Sequence, residues 1–187
     1  MYKWNIPEQY ANKHIGEYQF NSIDFFVFLE GVSVKIKNTP PPIIHYDMSN
    51  EVLIKYDCLP NNSLIPVINS RLKKFLELHT CGCVEFHPVL IHAQSGLLHG
   101  FYILNTIKTL PLIDLKNSEY QYIPDTKEIM GFDSVFFIKN PPHDFSIARC
   151  SEYLSYLMLS DELVAKMKKE KFKGVAYAKV MTAPNLT

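Results

Sequence analysis

"PVINSRLKKFLELHTCGCVEFHPV", residues 66–89, decides the fold. Val67 and Ile68 close a strand. Ser70 has the side chain of an N-cap, a hydroxyl able to accept from a backbone N–H two or three residues on. Leu72, Phe75, Leu76 and His79 then follow at the spacing of one helix face. Gly82 suits the left-handed position that ends a helix, and "CVEFHPV" resumes the alternation of a strand. A second stretch, residues 156–180, repeats this order. Leu157 and Leu159 lie on a strand, and Ser160 is the cap. Asp161 and Glu162 sit in the first turn, where the helix dipole favours negative charge. Leu163, Val164 and Met167 form the apolar stripe, Gly174 ends the unit and "VAYAKV" leaves as a strand. The pattern predicts an internal duplication of a β-α-β unit, in too few copies for a solenoid.

Working outward, "VSVKIK" (32–37) and "EVLIKY" (51–56) read as half-buried strands, separated by the prolines of "TPPPI" (39–43). "LPNNS" (59–63) is a turn by composition. Between the copies, "GFYILNTIK" (100–108) and "SVFFIK" (134–139) read as strands, residues 117–133 as a weak strand and a long loop, and "KNPPHDF" (139–145) as a breaker. No linker composition divides the chain. The expected architecture is α+β: a single domain over 1–187 with a β-rich part at 1–58, duplicated units at 66–89 and 156–180, and mixed, mostly antiparallel sheets carrying two main helices.

Composition narrows the function. The 187 residues are 47% hydrophobic and 20% charged, a globular profile. Lys+Arg and Asp+Glu both count 19, so the basic excess of a nucleic-acid binder is missing and no nucleic-acid partner is expected. Apolar runs such as "IDFFVFL" (23–29) are too short for a bilayer, and "MYKWNIPEQY" does not resemble a secretory signal; a cytoplasmic protein with no membrane partner is expected. Cys58, Cys81, Cys83 and Cys150 are too sparse for a disulfide scaffold and read as reduced thiols.

The chemistry-bearing residues cluster in four places. "HTCGCVEFH" (79–87) raises zinc, with Cys81, Cys83 and His87 joined by His79 or His92. The C-x-C spacing is too tight for a structural site, and the equivalent joint in the second copy, "EKFKGVAYAKV", holds no Cys or His; a helix–Gly–strand joint accounts for both. His143 and Asp144 are adjacent, without any nucleophile motif, and read as solvated loop residues. Lys166, Lys168, Lys169, Lys171 and Lys173 suit a helix C-terminus and i,i+4 pairing with Glu162 and Glu170. Asp114, Glu119, Asp125, Glu128 and Asp133 mark no known acid–base constellation; a solvated loop accounts for them, and a partner-facing loop is the alternative. No catalytic residue, cofactor or metal ligand is expected, which favours a binding protein over an enzyme.

The order of motifs resembles the immunity-protein family encoded beside bacterial polymorphic toxins, the eleventh in the usual catalogue and formerly a domain of unknown function. Val67, Ser70, Leu72, Val84, Phe86, Pro88 and Val89 match its first unit, Tyr102, Leu104, Asn105 and Asp114 its middle, and Ser160, Leu163, Gly174 and Val175 its last. The resemblance covers roughly 60–180. Pro111 stands where relatives often carry an acidic residue, and Tyr177 where Phe is common. The resemblance implies a protein that binds a cognate toxin domain and neutralises it by occluding its active site or substrate path. The alternative is a non-catalytic adaptor or scaffold domain associated with a secreted effector. A toxin that attacks nucleic acid would present a basic site, so the immunity surface would be acidic and aromatic. Asp114, Glu119, Tyr120, Tyr122 and Asp125 are the expected toxin-binding residues.

Overall fold

In the computed structural model, the two strand–helix–strand units fold alike. The structure describes residues 1–19, 23–36, 39–80 and 82–183. The first part of the chain carries β1 (Tyr2–Asn5), β2 (Glu17–Tyr18), β3 (Ile43–Tyr46), the short helix α1 (Asn50–Leu53) and β4 (Cys58–Leu59). The middle carries β5 (Val67–Asn69), α2 (Ser70–His79), β6 (Val84–Ala93), β7 (Gly96–Thr106) and β8 (Thr109–Leu110). The last part carries β9 (Glu119–Tyr122), β10 (Ile129–Ser134), β11 (Ile147–Cys150), β12 (Tyr153–Leu159), α3 (Asp161–Glu170) and β13 (Ala176–Lys179). The fold is mixed α+β. A six-stranded sheet runs β2-β3-β6-β7-β5-β4, a five-stranded sheet runs β13-β1-β12-β11-β8, and β9 and β10 pair alone.

Both units are split in the same way. β5 and β6 are parallel, and β7 lies between them, antiparallel to each. β12 and β13 are likewise parallel, and β1 lies between them, antiparallel to each. The inserted strand comes from a hairpin in one unit and from the N-terminal segment in the other. Alternation along the strands then sorts the core. Ile68 and Leu104 of one sheet, Leu157 and Leu159 of the other, Leu72 and Leu76 of α2, and Leu163, Val164 and Met167 of α3 share one apolar cluster. Val67, Ile91, Phe101 and Ile103 face the opposite side, toward Phe28 and Tyr46. Met158 and Ala148 face a third cluster with Leu112, Phe137 and Phe145. At about 1.5–3 kcal/mol per fully buried side chain, the α3 stripe alone contributes several kcal/mol, more than its helix propensity could.

Local chemistry corrects the sequence reading in four places. The cap of α2 is Asn69, whose side chain accepts from the Leu72 amide at 3.0 Å; Ser70 begins the helix and donates to the Gly100 carbonyl. Ser160 does cap α3, accepting from the Leu163 amide. Residues 32–36 form no strand, because side chains satisfy their backbone: the Glu85 carboxylate accepts from the Val34 amide at 3.1 Å, and Asn105 donates to the Val32 carbonyl at 2.9 Å. Lys37 lies outside the described residues. The 51–56 stretch is not a strand but mostly the turn of α1, whose Val52 and Leu53 amides bond the Ser49 carbonyl. Only Leu53 is buried there, so its apparent alternation marked no sheet face. Residues 134–139 do not form a strand of their own: Ser134 ends β10 and 135–139 run on without regular pairing. Phe137 makes isolated bridges to Ile113 and Thr182, while the 117–133 stretch supplies the β9–β10 hairpin.

Two contacts lock the units together. Gly174 has φ +87, and a Cβ there would lie 1.9 Å from the Cys58 carbonyl oxygen, so the exit of α3 fits β4 only as glycine. Beside it, the buried Asp57 carboxylate accepts from Arg71 (3.1 Å to each oxygen), Asn69 (3.1 Å) and the Lys173 amide (2.8 Å). One acid thereby ties the start of α2 to the end of the second unit.

Candidate functional site

The β9–β10 hairpin lies between the two units in sequence and outside both in structure. Its turn is built by short polar contacts. The Ile123 amide bonds the Glu128 carbonyl at 2.8 Å, Thr126 Oγ1 donates to the Ile123 carbonyl and accepts from the Glu128 amide, and Asp125 takes the left-handed conformation at φ +62. Phe132 fastens the hairpin to the five-stranded sheet, with its ring centroid 5.5 Å from Tyr153 and 5.9 Å from Tyr156. The outer surface keeps Tyr122 and Met130 more than half exposed, at 53% and 54%. The Tyr120 and Tyr122 rings meet edge-on at 5.4 Å, and hydrogen bonding to Tyr122 raises the Tyr120 pKa.

Between the hairpin and the Asp24–Leu29 segment runs a groove of about 590 Å³. Tyr122, Ile129 and Leu115 line one side, Phe26 and Leu29 the other, and Glu30, Glu128 and Glu152 outnumber Lys127 among its charges. Phe26 is 58% exposed, stacked on Phe25 and held out by a 3-10 turn (Phe25–Phe28) whose cap, Asp24, accepts from the Phe26 amide. The turn is fixed from below by Arg149. That guanidinium is 1% exposed and donates to the Phe28 carbonyl at 3.1 Å and the Leu154 carbonyl at 2.7 Å; burial pulls its pKa down to about 10, leaving it charged at neutral pH. Glu152 is held by the Leu112 and Ile113 amides, which leaves Glu30 and Glu128 as the groove's exposed acids.

The five residues singled out from the sequence are distributed unevenly. Glu119, Tyr120 and Tyr122 lie on β9, and Asp125 lies in the turn. Asp114 sits at the base of the hairpin, bonded to Asn117 at 2.7 Å. Only Tyr122 also lines the groove. Phe26 and Glu30 were missed: in "IDFFVFLE" the aspartate before two phenylalanines was the available signal, an N-cap setting an aromatic into solvent.

The other chemistry resolves into structure. α2 ends at His79, whose ring packs on Phe75 at 4.5 Å, and β6 starts at Val84, so "HTCGCVEFH" spans a helix–strand joint. His87 packs against Phe28 and Glu85. Among the described residues no three His, Cys, Asp or Glu side chains could hold one metal ion; Cys81 lies outside them. Asp144 pairs with Lys108 at 3.4 Å, and His143 is exposed beside it. Lys166 pairs with Glu162 at 2.7 Å. A second cleft, about 320 Å³, lies between the sheets beside Lys3, Trp4, Asn61 and Leu64. Its one thiol, Cys58, is pushed up to about 12 by burial and stays protonated at neutral pH, unlike a nucleophile. No helix among the described residues is long and apolar enough to cross a membrane.

The family described as "Immunity protein family (Imm11)" matches residues 3–182. The chain belongs to the Imm11 immunity protein family. No curated protein matches it. The Imm11 match begins at β1, well before the 60–180 range legible in the sequence, and β1 is the strand that completes the second unit.

Proposed function

We propose that this Imm11 protein neutralises a cognate toxin domain non-catalytically, by docking the β9–β10 hairpin and the neighbouring groove over the toxin's active site or substrate path. Membership of an immunity family supports the role. The observation that carries the location is the exposed aromatic pair Phe26 and Tyr122 flanking a groove with more carboxylates than cations. Aromatic side chains that fill partner pockets dominate interface energies, and an acidic surround favours a basic partner and speeds encounter. A standard interface buries about 1,600 Å² in total, so Glu119, Tyr120 and Asp125 along the hairpin would lie within its rim. The protein would act in the cytoplasm of the cell that makes the toxin.

The test is affinity capture from the source bacterium, followed by binding titrations with the recovered partner. The reading expects a stoichiometric toxin domain encoded by a neighbouring gene. Tyr122→Ala should weaken binding by about 2 kcal/mol, and Glu119→Lys with Asp125→Lys should slow association, most at low salt. Secretion components in place of a toxin would support the adaptor role instead. A captured toxin whose affinity ignores all three changes would move the docking surface elsewhere.

A further inference from the structure

β3 and β6 are parallel neighbours, and their register sets His45 beside His92. Ile44, Tyr46, Ile91 and Ala93 point into the core from these strands, so alternation sends both histidines to the other face, toward solvent. Their Nδ1 atoms converge to 3.4 Å, and the rings stand 5.2 Å apart at 61°. Neither imidazole has another hydrogen-bond partner among the described residues. Glu17, on β2, stands opposite His45 and continues the row with a carboxylate.

We propose that His45 and His92 form a two-histidine chelate for a zinc ion. Two nitrogens each about 2.0–2.1 Å from a tetrahedral zinc lie about 3.3–3.4 Å apart, which is the separation found here. The square-planar edge preferred by Cu(II) would be shorter, about 2.9 Å at similar bond lengths. With both rings protonated on Nε2, both Nδ1 atoms are free to ligate one ion. Without metal, one Nδ1–H can donate to the other ring; with that proton on Nε2 instead, the nitrogen becomes a ligand with no change in the ring's charge. The ligands sit on paired strands rather than on a loop, so little ordering is required. Since no third protein ligand closes the set among the described residues, two positions stay open to water or to atoms from another molecule. This site lies apart from the hairpin and does not depend on how the protein meets a toxin.

Calorimetric titration of the purified protein with ZnCl₂ tests it. The wild type should bind one equivalent, or half an equivalent if two copies share an ion. Loss of an outer-shell partner alone costs 10–100-fold in metal affinity, so His92→Ala and His45→Gln, each removing a ligand, should weaken binding at least about tenfold. Both sites are at the surface, and circular dichroism confirms that the variants fold. His99→Ala, on the adjoining β7, and Cys83→Ser should leave the isotherm unchanged. The proposal is overturned if the His45→Gln/His92→Ala double variant binds zinc like the wild type, or if Cys83→Ser removes the binding.

Discussion

Replacing Asp57 by alanine should be among the most damaging single changes in the protein, and far worse than removing its ion-pair partner. The carboxylate is 9% exposed, whereas the Arg71 side chain is 49% exposed. A half-exposed pair contributes about 0.5–1 kcal/mol after solvent screening. The larger loss is elsewhere. The Lys173 amide donates to this carboxylate at 2.8 Å, and the Asn69 carboxamide at 3.1 Å. Hydrogen bonds to a charged acceptor contribute about 1.5–3 kcal/mol, and a stranded buried donor carries its full desolvation cost. Together these give a loss of about 3–4 kcal/mol for Asp57→Ala, or a fall in Tm of about 10 °C for a chain this long. Arg71→Ala should cost about 1–2 kcal/mol. It forfeits the Glu170 carbonyl and the stack on Phe172, but leaves Asp57 bonded to Asn69 and Lys173. Urea unfolding followed by circular dichroism measures both. Equal losses for the two variants, or a loss below about 1 kcal/mol for Asp57→Ala, would refute the view that the acid chiefly serves the backbone joint between the units.

Two further outcomes follow from the same geometry. Gly174→Ala must displace the Cys58 carbonyl and should give an insoluble or strongly destabilised protein, while Gly82→Ala, at φ +72 in open space, should cost only about 1–2 kcal/mol; comparable melting temperatures would contradict the close approach. Burial alone would raise the Glu85 carboxyl, but bonds from Ser33, the Val34 amide and Asn105 outweigh it and hold the pKa below the usual value. A depressed carboxyl stabilises the fold above its unfolded pKa of about 4.3 and loses that contribution as pH falls through the lower folded value. The protection of the Val34 amide from deuterium exchange, relative to its intrinsic rate at each pH, should therefore fall below about pH 4, and in Glu85→Gln should already be reduced at neutral pH; protection that does not change with acid would show that other contacts hold residues 32–36.

The two duplicated units were legible because their signals are local and agree with one another. In the second, Ser160, the acids after it, the Leu163–Val164–Met167 stripe and Gly174 all specify the same helix and stop. The cap of the first unit was misplaced by one residue because Asn69 and Ser70 are both good caps, and only the 3.0 Å bond to Leu72 decides between them. β1 was not legible. "YKWN" is short and lacks a clean alternation, and its strand character depends on β12 and β13, contributed by residues more than 150 positions away. Residues 32–36 failed for the converse reason: the alternation is real, and Val34 and Ile36 do pack on the core, but the backbone finds side-chain partners instead of a strand. Tyr120 and Tyr122 were identified by residue type alone, whereas Phe26 and Glu30 became visible only when a distant segment was brought to the groove.

This division of labour bears on how an immunity protein can change partners while keeping its fold. The residues that carry the sequence resemblance are mostly caps, a glycine and core positions of the two units. Substitutions there meet a buried acid, a carbonyl 1.9 Å from a missing Cβ or a shared apolar core. The hairpin is bound differently. Phe132 packs inward, while Tyr122, Asp125, Glu128 and Met130 are exposed, so changes at these positions alter shape and charge at little cost to stability. On the proposed reading, selection on the scaffold and selection on the toxin act on separate residues. On that reading a sequence can disclose the family and withhold the partner: caps, glycines and core residues specify the fold, and the exposed hairpin residues that would meet the toxin carry no fold signal.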